Sequence, residues 1–169
     1  SIKDLVKITA KEKMPAVALT DSGNMMAAFH FVQAVQGHNK EAEAKNKEAE
    51  EKGETPTETL IKPIIGCEFN ICENHLDKSR QDNGYQVVIL AKNKQGYHNL
   101  TKMASIASTK GFYYVPRIDK AIVEQYKSDL MVLSGGMNGE IPSKILNIGT
   151  KQAEEALLWW KEQFGDDFY

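Results

Sequence analysis

Ala16-Val17-Ala18-Leu19-Thr20-Asp21-Ser22-Gly23-Asn24 is the stretch on which the fold turns. Its four consecutive apolar residues predict a short strand buried on both faces. The polar run from Thr20 to Asn24 predicts a turn at the end of that strand. In α/β folds, ligands gather at the carboxyl ends of strands. Asp21 is therefore either an ordinary turn or cap residue, or a carboxylate placed to bind a hard cation or to move a proton.

Upstream, Ile2, Leu5, Val6 and Ile8 predict a helix from Ile2 to Glu12, broken at Met14-Pro15. Downstream, a second helix from about Met25 carries Ala28, Phe29, Val32 and Val35 on one face. Ile64 to Ile71 reads as a strand, Glu73 to Gly84 as a polar loop, and Gln86 to Ala91 as another strand. Asn93 can cap a helix bearing Leu100, Met103, Ala104 and Ala107. An aromatic connector, Gly111 to Arg117, leads to a helix from Lys120 to Tyr126 capped by Asp119. Leu130 to Leu133 is a strand that Ser134-Gly135-Gly136 breaks, and Glu140 to Leu146 is a short helix. Thr150 can cap a last helix with Ala153, Leu157, Trp160 and Phe164 on one face, and Phe168-Tyr169 could open a further strand. This alternation predicts an α/β fold, with a parallel sheet or barrel and helices outside.

From Gly37 to Thr59 the composition shifts to Ala, Glu and Lys. Glu41 and Lys45, Glu43 and Lys47, and Glu48 and Lys52 form favourable i,i+4 pairs. Residues 37–59 are expected to be a charged, solvated helical insertion.

The 169 residues suffice for one domain with a real core, and 41% hydrophobic with 26% charged residues is ordinary for a globular protein. A net charge of -2 without clustered Lys and Arg argues against tight nonspecific nucleic-acid binding. Cys67 and Cys72 lack CxxC spacing and read as reduced, partly buried thiols. Neither a signal peptide nor a membrane-length apolar run is present, so a cytoplasmic location without membrane contact is expected. The chain lacks an initiator Met and is expected to be a piece of a longer protein, the alternative being a native amino terminus with Met removed.

Three strand ends hold the candidates for chemistry: Asp21-Ser22, Glu68, and Ser134-Gly135-Gly136 with Glu140 beyond. Glu68 lies within an apolar strand, where an unpaired carboxylate is costly. Gly135 to Gly139 offers backbone N–H groups to a phosphate, or is a plain turn. His30, His38, His75 and His98 do not follow strand ends and read as surface or packing residues. No GxGxxG, GKS/T loop or nucleophile elbow occurs.

Several blocks in order resemble one family. They are Ala18 to Asn24, Lys62-Pro63-Ile64-Ile65-Gly66-Cys67-Glu68-Phe69, and Leu90-Ala91-Lys92-Asn93 with Gly96-Tyr97-His98-Asn99-Leu100. Gly111 to Asp119, and Leu133-Ser134-Gly135 through Gly139-Glu140-Ile141-Pro142, fit as well. Together they resemble the PHP (polymerase and histidinol phosphatase) domain of bacterial DNA polymerase III alpha subunits.

The resemblance implies a distorted, seven-stranded β/α barrel. Residues 1–169 would be a partial domain lacking the first strand and the C-terminal end. Metal-binding members hold divalent ions with His, Asp, Glu and sometimes Cys. Here Ser22 stands where a ligand His is expected, Gln86 stands for another, and Gly136 replaces a Cys, while Asp21 and Glu68 remain. Ser and Gln are poor substitutes for imidazole on a transition metal. Asp21, Ser22, Glu68, Gln86 and Gly136 are therefore expected to be vestigial metal-site positions, with no catalytic residue and no cofactor in this segment.

The implied function is a structural and subunit-interaction module in DNA replication. Its partners would be other polymerase III subunits, with a surface offered to the proofreading exonuclease. DNA would be met by the parent polymerase, a nucleotidyltransferase, rather than by this segment. The alternative is an active metal-dependent phosphoesterase or proofreading exonuclease using Zn or Mn.

Overall fold

The computed structural model describes all 169 residues. Its elements run α1 (Ile2–Lys11), β1 (Ala16–Ser22), α2 (Ala28–Glu51), β2 (Lys62–Cys72), β3 (Tyr85–Ala91), α3 (Lys94–Thr109), β4 (Arg117–Asp119), α4 (Lys120–Tyr126), β5 (Leu130–Leu133), α5 (Glu140–Asn147) and α6 (Thr150–Phe164). No helix is long and apolar enough to cross a membrane.

The fold is mixed α/β, with five strands in one sheet ordered β1-β2-β3-β5 and β4 also paired to β2. The expected parallel sheet is not what forms. β2 and β3 are antiparallel, as are β3 and β5, while β4 runs parallel to β2 at Asn70–Cys72. The reason lies in Glu73–Gly84. That connection carries no helix, so β3 can return directly beside β2 instead of crossing over.

The chain forms two compact units. One comprises Ser1–Leu19 and Met26–Ile65, the other Thr20–Met25 and Gly66–Tyr169. In the first, Val6, Phe31, Val35 and Ile61 form the buried cluster. Two facial readings need correction here. Phe29 is 71% exposed and Phe31 takes the core position, because buried Ala28, Phe31, Val35 and Ala42 follow the helical 3-4-7 spacing. On α1, Ile8 is exposed and Thr9 is buried; its hydroxyl satisfies itself on the Leu5 carbonyl at 2.8 Å.

Residues 37–51 do not form a separate helix, because α2 runs unbroken through Gly37. The returning segment is tied to it by side-chain amides. Asn39 donates to the Ile61 carbonyl and accepts from the Ile61 N–H, both at 2.8 Å. Asn46 does the same for Glu58, at 2.9 Å each way. His38 Nε2 lies 3.0 Å from the Thr59 carbonyl.

The second unit has the larger core. Cys67, Phe69 and Ile71 of β2 and Val87 and Ile89 of β3 pack with Leu100, Met103 and Ala107 of α3, Ile118, Val123, Val132 and Trp160. Burying each large apolar side chain contributes about 1.5–3 kcal/mol. Asn93 caps α3 by accepting from Gly96 N–H, and Asp119 caps α4 by accepting from Ile122 N–H. The cap of α6 is Gly149, not Thr150, which is the first helical residue. Leu157 is 42% exposed and Ala156 is buried in its place. Phe168 bridges Val132 in parallel, so the final residues do take up strand pairing.

Candidate functional site

The alternation of side chains along β2 and β3 separates two faces. Cys67, Phe69, Ile71, Val87 and Ile89 enter the core. Their neighbours Glu68, Asn70, Gln86 and Val88 share the other face, with Glu68 opposite Val88 and Asn70 opposite Gln86. Asp21 and Ser22 end β1.

Of the five expected positions, Ser22 and Glu68 are brought into direct contact. The Ser22 hydroxyl donates to Oε1 of Glu68 at 2.8 Å. The backbone repeats the link, since Gly23 N–H donates to the Glu68 carbonyl at 2.8 Å. Gly23 has φ +70°, which the tight exit from β1 requires and glycine supplies at low cost. Asn24 closes the turn by donating to the Ser22 carbonyl.

Gln86 and Gly136 belong to a second knot. Asn138 donates its side-chain amide to Gln86 Oε1 at 3.2 Å, and Gln86 N–H donates to the Asn138 carbonyl at 2.9 Å. This binds the loop after β5 to the start of β3. Gly135, at φ +81°, sits so close that an added Cβ would lie 2.6 Å from the Gln86 carbonyl oxygen. At Gly136 the opposite holds: a Cβ would meet nothing within 4 Å. Sterics would admit a side chain there, yet none is supplied.

The fit of this donor set to a metal can be judged from its chemistry. It offers two carboxylates, a hydroxyl, a carboxamide and no imidazole or thiolate. Glu68 Oε1 is already engaged by Ser22, and the Gln86 oxygen by Asn138. No group of three or more His, Cys, Asp or Glu side chains is arranged to hold an ion. These residues do not fit the metal cluster that the sequence resemblance implies for metal-binding members.

Cys67 adds no ligand. Burial pushes its thiol up to about 12, against the weaker opposing pull of the Gly23 and Asn24 backbone N–H groups. Both cysteines are free and buried, Cys67 completely. Glu140, the third candidate carboxylate, is also buried. Oε1 accepts from Lys120 at 2.8 Å and Lys144 at 2.7 Å, and Oε2 accepts from Trp160 Nε1 at 2.8 Å. Burial raises its pKa, but these donors outweigh burial and hold it below the usual carboxylate range.

Sequence reasoning missed two polar anchors. Of the two readings left open for His75, surface or packing, it takes the second: it is 8% exposed, with Nδ1 2.5 Å from Oδ2 of Asp119, a partner the sequence did not name. Arg117 is fully buried and donates to the carbonyls of Gly111, Asp82, Asp77 and His75. A charged residue inside Val115-Pro116-Arg117-Ile118 was the available signal for Arg117. No comparable signal marked His75, whose neighbours are polar. His30 and His98 are exposed.

The PHP domain model matches residues 1–169. The chain belongs to the PHP domain family. Among its relatives is the DNA polymerase III subunit alpha of Borreliella burgdorferi, 37% identical over 99% of this chain. The Thermus aquaticus protein of the same name is 37% identical over 97% of this chain, and that of Chlamydia trachomatis 32% over 100%. This PHP chain spans only 12–13% of the length of these relatives.

Proposed function

We propose that this chain is the PHP domain of a replicative DNA polymerase III alpha subunit, working in DNA replication as a structural and subunit-interaction module without hydrolytic activity. The observation that carries the proposal is the Ser22–Glu68 hydrogen bond. A hydroxyl occupies the carboxylate where the family resemblance calls for a metal-bound His. The Gln86–Asn138 pair supports the same reading at the second lost position. Hydrogen bonds between protein groups thus do the joining that an ion would otherwise do. Without that ion, water is not activated as a nucleophile.

Within this proposal the strands form part of a β/α barrel, residues 37–59 are an insertion, and the segment needs no cofactor. Its partners are other polymerase III subunits, the proofreading exonuclease among them, in the cytoplasm. DNA is handled by the parent polymerase.

The test is metal analysis of the purified protein together with phosphate-ester hydrolysis in the presence of Mn or Zn. Substoichiometric metal and no hydrolysis are expected. Stoichiometric metal with hydrolysis abolished by Glu68→Gln overturns the proposal in favour of an active phosphoesterase.

A further inference from the structure

Between Asp82 and Asp119 the chain carries no Asp or Glu, although it has 23 acidic residues in all. The cations of this stretch therefore have no local anions. Two of them are engaged elsewhere: Lys92 pairs with Asp167 at 2.7 Å, and Arg117 is buried among backbone carbonyls. Lys94, Lys102 and Lys110 are exposed and enter none of the ion pairs of the chain. The acids of the elements packed on α3 do not pair with them. Asp119 is held by His75, Asp129 accepts from Asn93, and Glu124 of α4 forms no ion pair.

The helix face beside these lysines is smooth. Thr101, Ser105 and Thr109 follow one another at i,i+4 on the exposed side of α3. Each hydroxyl donates to the carbonyl four residues back, at 3.0, 2.8 and 2.7 Å. Covering them strands no donor, so their desolvation costs little.

An aromatic turn follows the C-terminal end of α3. Tyr113 N–H donates to the Val115 carbonyl at 3.1 Å, and Tyr114 at the tip has φ +64°. That region strains a bulky residue, yet the turn displays Tyr114 63% exposed, with Phe112 52% exposed. The base of the turn is fixed: the Tyr113 ring meets Tyr114 edge-on at 4.7 Å, and the Arg117 guanidinium lies 5.4 Å from the Tyr113 ring centroid. An exposed aromatic held in this way loses little freedom on binding.

We propose that this face of α3, with Phe112 and Tyr114 at its end, docks an acidic segment of a partner protein. Carboxylates of that segment meet Lys102 and Lys110, which stand about 12 Å apart along the helix axis, and a large apolar side chain packs on Tyr114. Nucleic acid fits less well, because three lysines neutralise few phosphates. The inference rests on the subunit-interaction reading above and supplies its surface.

The test selects phage-displayed random peptides of 16 residues, the length of α3, on the 169-residue chain. The recovered peptides are net acidic, carry an aromatic residue or Leu, and bind in fluorescence anisotropy. Lys102→Glu combined with Lys110→Glu weakens them about tenfold, and changing their Asp and Glu to Lys restores binding to that double variant. Tyr114→Asn, which tolerates the left-handed backbone, weakens them about fivefold and moves the melting temperature by less than about 3 °C. Failure to recover peptides, recovery without an acidic bias, or affinity unchanged in the double variant overturns the proposal. A larger fall in the melting temperature of Tyr114→Asn makes the ring a support of the fold and overturns its anchoring role. Oligothymidylate binding more tightly than the peptides overturns the choice of partner in favour of single-stranded nucleic acid. Phosphate-ester hydrolysis is read separately, so this surface and the non-hydrolytic reading fail independently.

Discussion

Ser22 and Glu68 stand 46 residues apart in sequence and are joined by one 2.8 Å hydrogen bond from hydroxyl to carboxylate. That bond links the end of β1 to the middle of β2. It lies on an exposed surface, so its net contribution is modest, about 0.5–1.5 kcal/mol. Ser22→Ala should lower the free energy of unfolding by about that amount in a denaturant titration. A variant as stable as the parent would remove the bond from the account of the site.

Ser22→His should not create a tight zinc site. Gln86 and Gly136 would still supply neither imidazole nor thiolate, and one added ligand leaves the coordination sphere unfilled. The check is zinc content after dialysis against a weak chelator. Retention of one zinc per chain would contradict the prediction.

Arg117→Met should destabilise the protein by about 2–4 kcal/mol. It strands several buried carbonyls that now share one guanidinium, and each unsatisfied group carries its own desolvation cost. Arg117→Lys should recover only part of the loss, because an ammonium cannot span the same fork of acceptors. Thermal melts of the two variants measure the difference.

Acid should weaken the Glu73–Gly84 loop first. Burial raises the Asp119 pKa, but hydrogen bonds from His75 and Ile122 outweigh it and leave the carboxyl below its ordinary value. Glu140 is depressed in the same way by Lys120, Lys144 and Trp160. A carboxyl depressed by folding stabilises the fold fully above its unfolded pKa, about 4, and the effect is lost as pH falls through the lower folded value. Stability should therefore hold down to about pH 5 and fall below about pH 4. Asp119→Asn should flatten part of that fall in urea titrations across pH.

Deleting Lys40 to Glu58 should leave the fold standing. The cut joins Asn39 to Thr59, and His38 already lies within 3.0 Å of the Thr59 carbonyl. The cost is the burial of Ala42 and the Asn46 amide pair. Hydrogen exchange should show the β2–β3 amides as protected as before. Their loss of protection would show that the segment supports the core.

Much of the second unit was legible because its signals are local. Asn93 and Asp119 lie where cap chemistry puts them, and the apolar spacing of α3 names its buried face. Strand direction was not legible, because direction follows from what connects two strands and Glu73–Gly84 gave only polarity. Phe29 and Phe31 are equally apolar, and only the helix's rotation against its neighbours chose between them. The site positions Ser22 and Gln86 were found through the family resemblance. Their actual partners, Glu68 and Asn138, depend on distances that no one-dimensional pattern carries.

The Arg117 clamp has a consequence for the order of folding. The carbonyls of Asp77 and Asp82 are 40 and 35 residues from the guanidinium that holds them. Closing contacts over such separations waits until the intervening chain has collapsed. The Glu73–Gly84 loop should thus be among the last segments to set during refolding, and among the first to open when the native state breathes.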